Sequence, residues 1–395
     1  RKSIAEKIAH YDPDDAFELI WRFLSLADSI FERSHDGSGA LIDSFHAACE
    51  DAGRIATMAK VPTERLVEKI FSVLQDNGYG QYDELIEAMA PVLGETGLRK
   101  LQQAFEAWAK EPKPRAARKD KEVIGWGSNG PVYRDELYSS GKSITIKVVL
   151  QQIADALGDV DLYIQQQPEK SRTFATITTG IAQRLLAAGR AEEALSALDK
   201  TEFDGRREIP TEWQALRAQV LETLGRSEEA QQFRLESFEQ SLNDTLLREY
   251  VKRLPDFDDI EAEERAFAFV QTVPDANRAL YFFLQYPSLT EASKLVISRA
   301  SEIDGNHYEL MSDAAEKLAG KFPLAATILL RAMIDFTLNG ARSSRYKHAA
   351  RHLLECGALA GSIEDYGAFA PHEAYHAALR KVHGRKHGFW PLVDR

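Results

Sequence analysis

Two cysteines in 395 residues, Cys49 and Cys356, cannot form a disulfide framework, which excludes the small secreted scaffolds that depend on one. The scarcity suits a reducing cytoplasm, where the chain is expected to act. No apolar run approaches the length of a membrane-spanning helix, so no membrane partner is expected. The chain opens on Arg1 rather than Met and no signal-peptide core follows, so the start of the protein is expected upstream. Regular apolar alternation is missing too. Ile144–Val148 is the nearest approach to a strand, and it reads better as the beginning of a helix.

Charge is present but unevenly spread. The formal net charge is -12, yet from Lys321 onward 11 Lys and Arg face 6 Asp and Glu, and six of the ten histidines lie there. The acidic body should repel nucleic acid and anionic membrane, while the C-terminal end attracts phosphate or an acidic partner.

Helix signals run the length of the chain. Asp12 precedes Pro13, Asp14 and Asp15, a cap followed by acids at the positive end of the dipole. Phe17, Ile20, Trp21, Leu24, Ala27 and Phe31 then follow at helical spacing. Further helices are expected over about 41–60, from Pro62, and around Leu85–Met89 and Leu98–Trp108, giving an all-α N-terminal unit over 1–110. Residues 111–142 read as a basic linker and Gly-rich loop. Pro112 and Pro114 resist helix among Lys113, Arg115, Arg118, Lys119 and Lys121, and Gly125 to Gly130 continue it. Helices resume at Ser143 and continue to the end, with Leu318–Met333, Arg345–Leu359 and His372–His383 among the last.

One turn is stated twice. Ala-Ala-Gly-Arg-Ala-Glu-Glu-Ala at 187–194 returns as Leu-Gly-Arg-Ser-Glu-Glu-Ala at 224–230, with apolar helical runs on both sides. A fixed repeat of this size marks stacked helix pairs. Gly189 and Gly225 can take the left-handed conformation that closes a helix, and the paired glutamates suit the first turn of the next. Gly320 and Ala325 are a weaker echo, out of register with the first two. The turn and second helix resemble tetratricopeptide-type repeats, although the Trp…Leu-Gly…Tyr pattern of the first helix is absent.

A second resemblance spans nearly the whole chain. It is carried by Trp21 to Asp28, Asn77 to Asp83, Val123 to Gly127, Leu254 to Glu261, Arg345 to Leu353 and His383 to Lys386. These stretches are similar to an uncharacterised bacterial domain-of-unknown-function family with an all-helical, tetratricopeptide-like body. The resemblance implies a fold, a bacterial setting and a further helical segment upstream. It implies no activity.

Four groups of residues invite a chemical reading. His372-Glu373-Ala374-Tyr375-His376 matches the His-Glu-x-x-His zinc-protease pattern, in which two imidazoles share a helix face and the glutamate activates metal-bound water. No Gly-x-x-His follows it, and too little chain remains to build half of a cleft. His348, His352 and Cys356 recur every four residues, but three ligands on consecutive turns of one straight helix rarely converge on one ion. The acidic run from Asp256 to Glu264 lacks the glycine and terminal glutamate of a calcium loop, and a helix N-terminus explains it. The fourth group is the most promising. Arg342, Arg345, Tyr346, Lys347, His348, Arg351 and His352 cluster cations at the start of a helix, beside Ser343 and Ser344, where an anion or a partner protein can bind.

These observations add up to an all-α, tetratricopeptide-like solenoid of right-handed helical hairpins over 143–395, preceded by the N-terminal helical unit. The function expected is a non-catalytic scaffold or adaptor for a protein partner, without cofactor or metal. The alternatives are nucleic-acid or phosphorylated-ligand binding through the basic C-terminal helices, and a zinc-dependent hydrolase.

Overall fold

Helix formation begins where the sequence carries its clearest start signal. The computed structural model describes residues 1–34, 37–111, 123–127, 130–203 and 209–394; of 123–127 and 130–140 it describes the backbone. It places α1 at Pro13–Leu24. The Asp12 carboxylate caps this helix, accepting from the N–H of Asp15 at 3.0 Å, and Pro13 occupies the first position, where no N–H is needed. Ala16, Phe17, Ile20, Trp21 and Leu24 share one buried face.

Contacts group the chain into two compact units, Arg1–Phe203 and Asp204–Arg395. In the first, α1 shares a core with α2 (Ala40–Ala56), α3 (Thr63–Leu74) and α4 (Leu85–Lys110). Phe71, Phe105 and Trp108 meet edge to face within it. The sequence reads α4 as two helices; Gly94, at φ +56°, kinks one continuous element between those two arms. The backbone then forms β1 (Val123–Gly127) and β2 (Gly130–Tyr133), antiparallel, with Trp126 opposite Pro131. This hairpin corrects the reading of a strandless loop. Three glycines among 11 residues hide the short Val-Ile and Val-Tyr β-formers from any alternation count. The basic residues Lys113, Arg115, Arg118, Lys119 and Lys121 lie outside the described residues. Helix α5 (Arg134–Leu157) carries Ile146, Val149, Leu150 and Ile153 into the core of α1 to α4. Ile144–Val148 lies within it, helical as expected. The division into 1–110, 111–142 and 143–395 remains a proposal about modules of sequence.

The repeated turn is the same in its bonding at both sites. After α6 (Val160–Gln165), α7 (Ala175–Ala187) turns through Gly189 into α8 (Ala191–Asp199); in the second unit α9 (Thr211–Thr223) turns through Gly225 into α10 (Ser227–Ser241). Both glycines have φ +74°. Arg190 N–H donates to the Leu185 carbonyl at 2.8 Å and Arg226 N–H to Leu221 at 2.9 Å, closing the preceding helix in the same way. Each arginine then grips a glutamate of the following first turn with both arms of its guanidinium, Arg190 on Glu193 and Arg226 on Glu229. Ala194 and Ala230 are fully buried where the paired helices approach.

The second unit continues with α11 (Asp244–Val251), α12 (Asp258–Thr272), α13 (Ala276–Gln285) and α14 (Leu289–Ser298). It ends with α15 (Tyr308–Ala319), α16 (Pro323–Asn339), α17 (Tyr346–Ala360) and α18 (His372–His383). Helix α16 has buried side chains on every side and packs between α15 and α17. Short connections make both contacts antiparallel hairpins, so α15 and α17 run parallel to each other. The sequence reading of one helix over Leu318–Met333 is corrected here. α15 ends at Ala319 and α16 starts at Pro323, because proline has no N–H to give a helix interior yet fits its first position. Gly305, in the loop before α15, is pressed against α16: a Cβ there would lie 2.1 Å from the Ala332 carbonyl oxygen.

Two glycine substitutions should separate backbone conformation from crowding. A Cβ at Gly225 meets nothing within 4 Å, so Gly225→Ala should cost only the left-handed penalty, about 1 kcal/mol. Gly305→Ala must displace backbone and should cost about 2–3 kcal/mol. Urea unfolding measures both, and equal losses would refute the distinction.

Candidate functional site

The parallel run of α15 and α17 over α16 leaves a groove. One cavity of about 510 Å³ lies at its start, between Asn306 to Leu310 and the pair Arg345 and His348. A second of about 500 Å³ follows along the same two helices. Ser312, Ala315, Glu316 and Ala319 form one wall of it, Arg351, His352, Glu355 and Ala358 the other, and Leu330 of α16 the floor. The entrance is polar; the second cavity has a largely apolar base.

Between the cavities, three side chains are linked. Arg351 Nη2 donates to the Tyr308 hydroxyl at 3.2 Å, and that oxygen is 3.1 Å from His348 Nδ1. Arginine can only donate, so the hydroxyl accepts from it. His352 is arranged differently. Its Nδ1 lies 3.0 Å from Glu355 Oε2, a group that only accepts, so Nδ1 carries the proton and Nε2 is an acceptor. That Nε2 is buried without a partner, in a side chain 2 % exposed. Burial lowers the His352 imidazole below its ordinary value, outweighing the Glu355 carboxylate beside it.

The structure gathers four of the seven cluster residues into this groove and disperses three. Arg345 and His348 line the entrance; Arg351 and His352 line the second cavity. Tyr346 turns inward and packs edge to face on Phe389, ring centres 5.9 Å apart. Arg342 stacks its guanidinium 4.2 Å from the Phe336 ring centre. Lys347 is exposed outside both cavities. The α15 wall is what sequence reading missed. Met311, Ala314, Ala315 and Leu318 carry the helical spacing that betrays it, and Tyr308 is the residue its N-terminus supplies.

The metal-like motifs resolve into packing. His372 and His376 have ring centres 6.2 Å apart; His372 abuts Gly357, and His376 meets Trp390 edge to face at 5.6 Å. Along α17 each four-residue step turns the side chain by about 40°. His348 thus reaches Tyr308, His352 turns inward, and the Cys356 thiol points at the Thr327 carbonyl. Among the described residues no group of three or more His, Cys, Asp or Glu could hold a metal ion. Burial pushes both thiols up to about 12, which leaves neither a ready nucleophile. In the second unit, Tyr375 donates to Asp335 at 2.8 Å and Arg331 Nη1 donates to the Ala370 carbonyl at 2.7 Å, fastening α18 to α16.

Burial also lowers His372 and His383, as it does His352, from the ordinary value of 6.5. Unfolding releases these imidazoles to protonate. Their contribution to stability is therefore complete above pH 6.5 and is lost as the pH falls through their lowered values. A nitrogen-detected titration should place the His352 midpoint below 6.5, with the thermal midpoint of unfolding dropping on acidification. A His352 midpoint at or above 6.5 would contradict its burial.

Among the described residues no helix is long and apolar enough to cross a membrane. No curated protein matches the chain. A solved structure described as a "Circular tandem repeat protein with novel repeat topology and enhanced subunit contact surfaces" is 14% identical over 100% of this chain and 86% of that one. Its TM-score is 0.14, too low to bear on the fold. The model of DUF6880, a family of unknown function, matches residues 1–392, and the chain belongs to that family.

Proposed function

We propose that the chain is a non-catalytic helical-repeat scaffold or adaptor of the bacterial cytoplasm, holding a segment of a protein in the α15/α17 groove. The groove itself carries this reading. It joins a polar entrance to an apolar base along two parallel helices, the pattern that suits a side chain anchored in a pocket with backbone bonded at the rim. His352 Nε2 supplies a buried acceptor that a peptide N–H or a hydroxyl would satisfy. The tetratricopeptide likeness of the turns agrees with this use, since stacked helix pairs commonly bind peptides. Binding of nucleic acid or a phosphorylated ligand has Arg342, Arg345 and Lys347 in its favour. The carboxylates of Glu309 and Glu316 on the facing wall oppose it.

Panning a random-peptide library on the full chain tests the docking role. Ala358 is exposed at the edge of the second cavity, so Ala358→Trp should fill the groove without disturbing the core. Recovered peptides should bind this variant at least tenfold more weakly at unchanged thermal stability. Peptides indifferent to the tryptophan would remove the groove from consideration.

A further inference from the structure

The second unit presents a feature that its own core does not use. Phe257, at the N-terminus of α12, is 80% exposed and adopts φ +76°, a conformation that L side chains rarely take. Ile260, one turn on, is 57% exposed. Asp256, Asp258, Asp259, Glu261 and Glu264 flank them in sequence, and none of the five has an ion-pair partner among the described residues. An aromatic side chain held out in a strained backbone, flanked in sequence by unpaired carboxylates, has the form of a plug.

The groove entrance has the complementary form. Residues 336–354 contain Arg342, Arg345, Lys347 and Arg351 and no Asp or Glu. Arg351 is already paired with Glu355, whereas Arg342, Arg345 and Lys347 form no ion pair among the described residues. His348 lines the same wall, with its Nδ1 bonded to the Tyr308 hydroxyl. The N–H groups of Glu309 and Leu310, in the first turn of α15, find no protein acceptor among the described residues, and the His307 side chain does not cap that helix. Of these cations Arg345 lines the cavity, with Glu309 the carboxylate of its lining, while Arg342 and Lys347 stand outside it on the neighbouring turns. The cavity beside them is large enough for a phenylalanine ring.

We propose that the groove of one copy of this chain takes Phe257 and its flanking carboxylates from a second copy, an inference that rests on the docking role given to the groove above. Phe257 enters the first cavity, and Asp258 and Asp259 meet Arg345, Lys347 and the entrance donors. Docking withdraws an exposed aromatic from water and neutralises two patches of opposite sign. Reciprocal docking closes a dimer; repeated docking in one direction builds a longer assembly.

Sedimentation velocity on the full chain over a hundredfold range of concentration should show the average mass rising, and rising less in high salt. Phe257→Ser removes an exposed side chain and should abolish the rise; Arg345→Glu should weaken it at least tenfold. Asp258→Arg/Asp259→Arg should also fail to associate alone. Mixed with Arg345→Glu, however, its basic plug faces an acidic entrance, and its own basic entrance faces an unaltered acidic plug. Recovery of association in that mixture, and in neither variant alone, is the expected result. A monomer at every concentration, an association untouched by Phe257→Ser, or a mixture that stays monomeric would overturn the proposal. Should library peptides still sense Ala358→Trp in that event, the docking role stands and the second copy as its occupant falls.

Discussion

A helix with buried side chains around its whole circumference must be covered on every side, and α16 is such a helix. Ala325, Ala326, Ile328, Leu329, Leu330, Met333, Ile334 and Leu338 point in all directions and are all buried. The large ones contribute roughly 2 kcal/mol each by leaving water, so exposing any face would be costly. Antiparallel neighbours α15 and α17 supply the cover, and their positions follow from that need. Two cylinders laid side by side on a third leave a trough between them. The groove is therefore a by-product of hiding α16, with Leu330 as its visible floor.

The polar residues of α16 are placed where the cover is completed. Arg331 is 7% exposed, and among the described residues it has no carboxylate in ion-pair range and its Nε and Nη2 lack partners. Its guanidinium lies 4.3 Å from the centre of the Tyr375 ring, and its one strong bond holds the loop before α18. Burial raises the Asp335 carboxyl above its ordinary range, against the hydrogen bond from Tyr375 that stabilises its charged form. Histidine, cysteine, tyrosine and arginine thus crowd this region for reasons of attachment. The same residue types in sequence order look like catalysis.

What could be read from sequence depended on how local the cause was. Asp12 and Pro13 announce α1 because capping involves neighbours only, and Gly189 and Gly225 announce their turns for the same reason. Arg345, His348, Arg351 and His352 stand out as part of one cationic cluster because they are near neighbours along a single helix. Tyr346 lay in the same charged run, yet its partner Phe389 is 43 residues away, so its inward turn had no local sign. Tyr308 joins His348 across 40 residues and was invisible for that reason. The β1–β2 hairpin escaped because its glycines dilute the strand signal over a very short stretch.

The burial of Cys49 and Cys356 has a practical face. With both thiols shielded and pushed up to about 12, maleimides and disulfide reagents find almost no thiolate on the native fold at neutral pH. The wild-type chain is then a silent background for labelling. A single cysteine placed on the rim of the groove, or beside Phe257, becomes the one reactive sulfur in the molecule. Fluorophores or spin labels can report on either surface without first stripping the protein of its own cysteines.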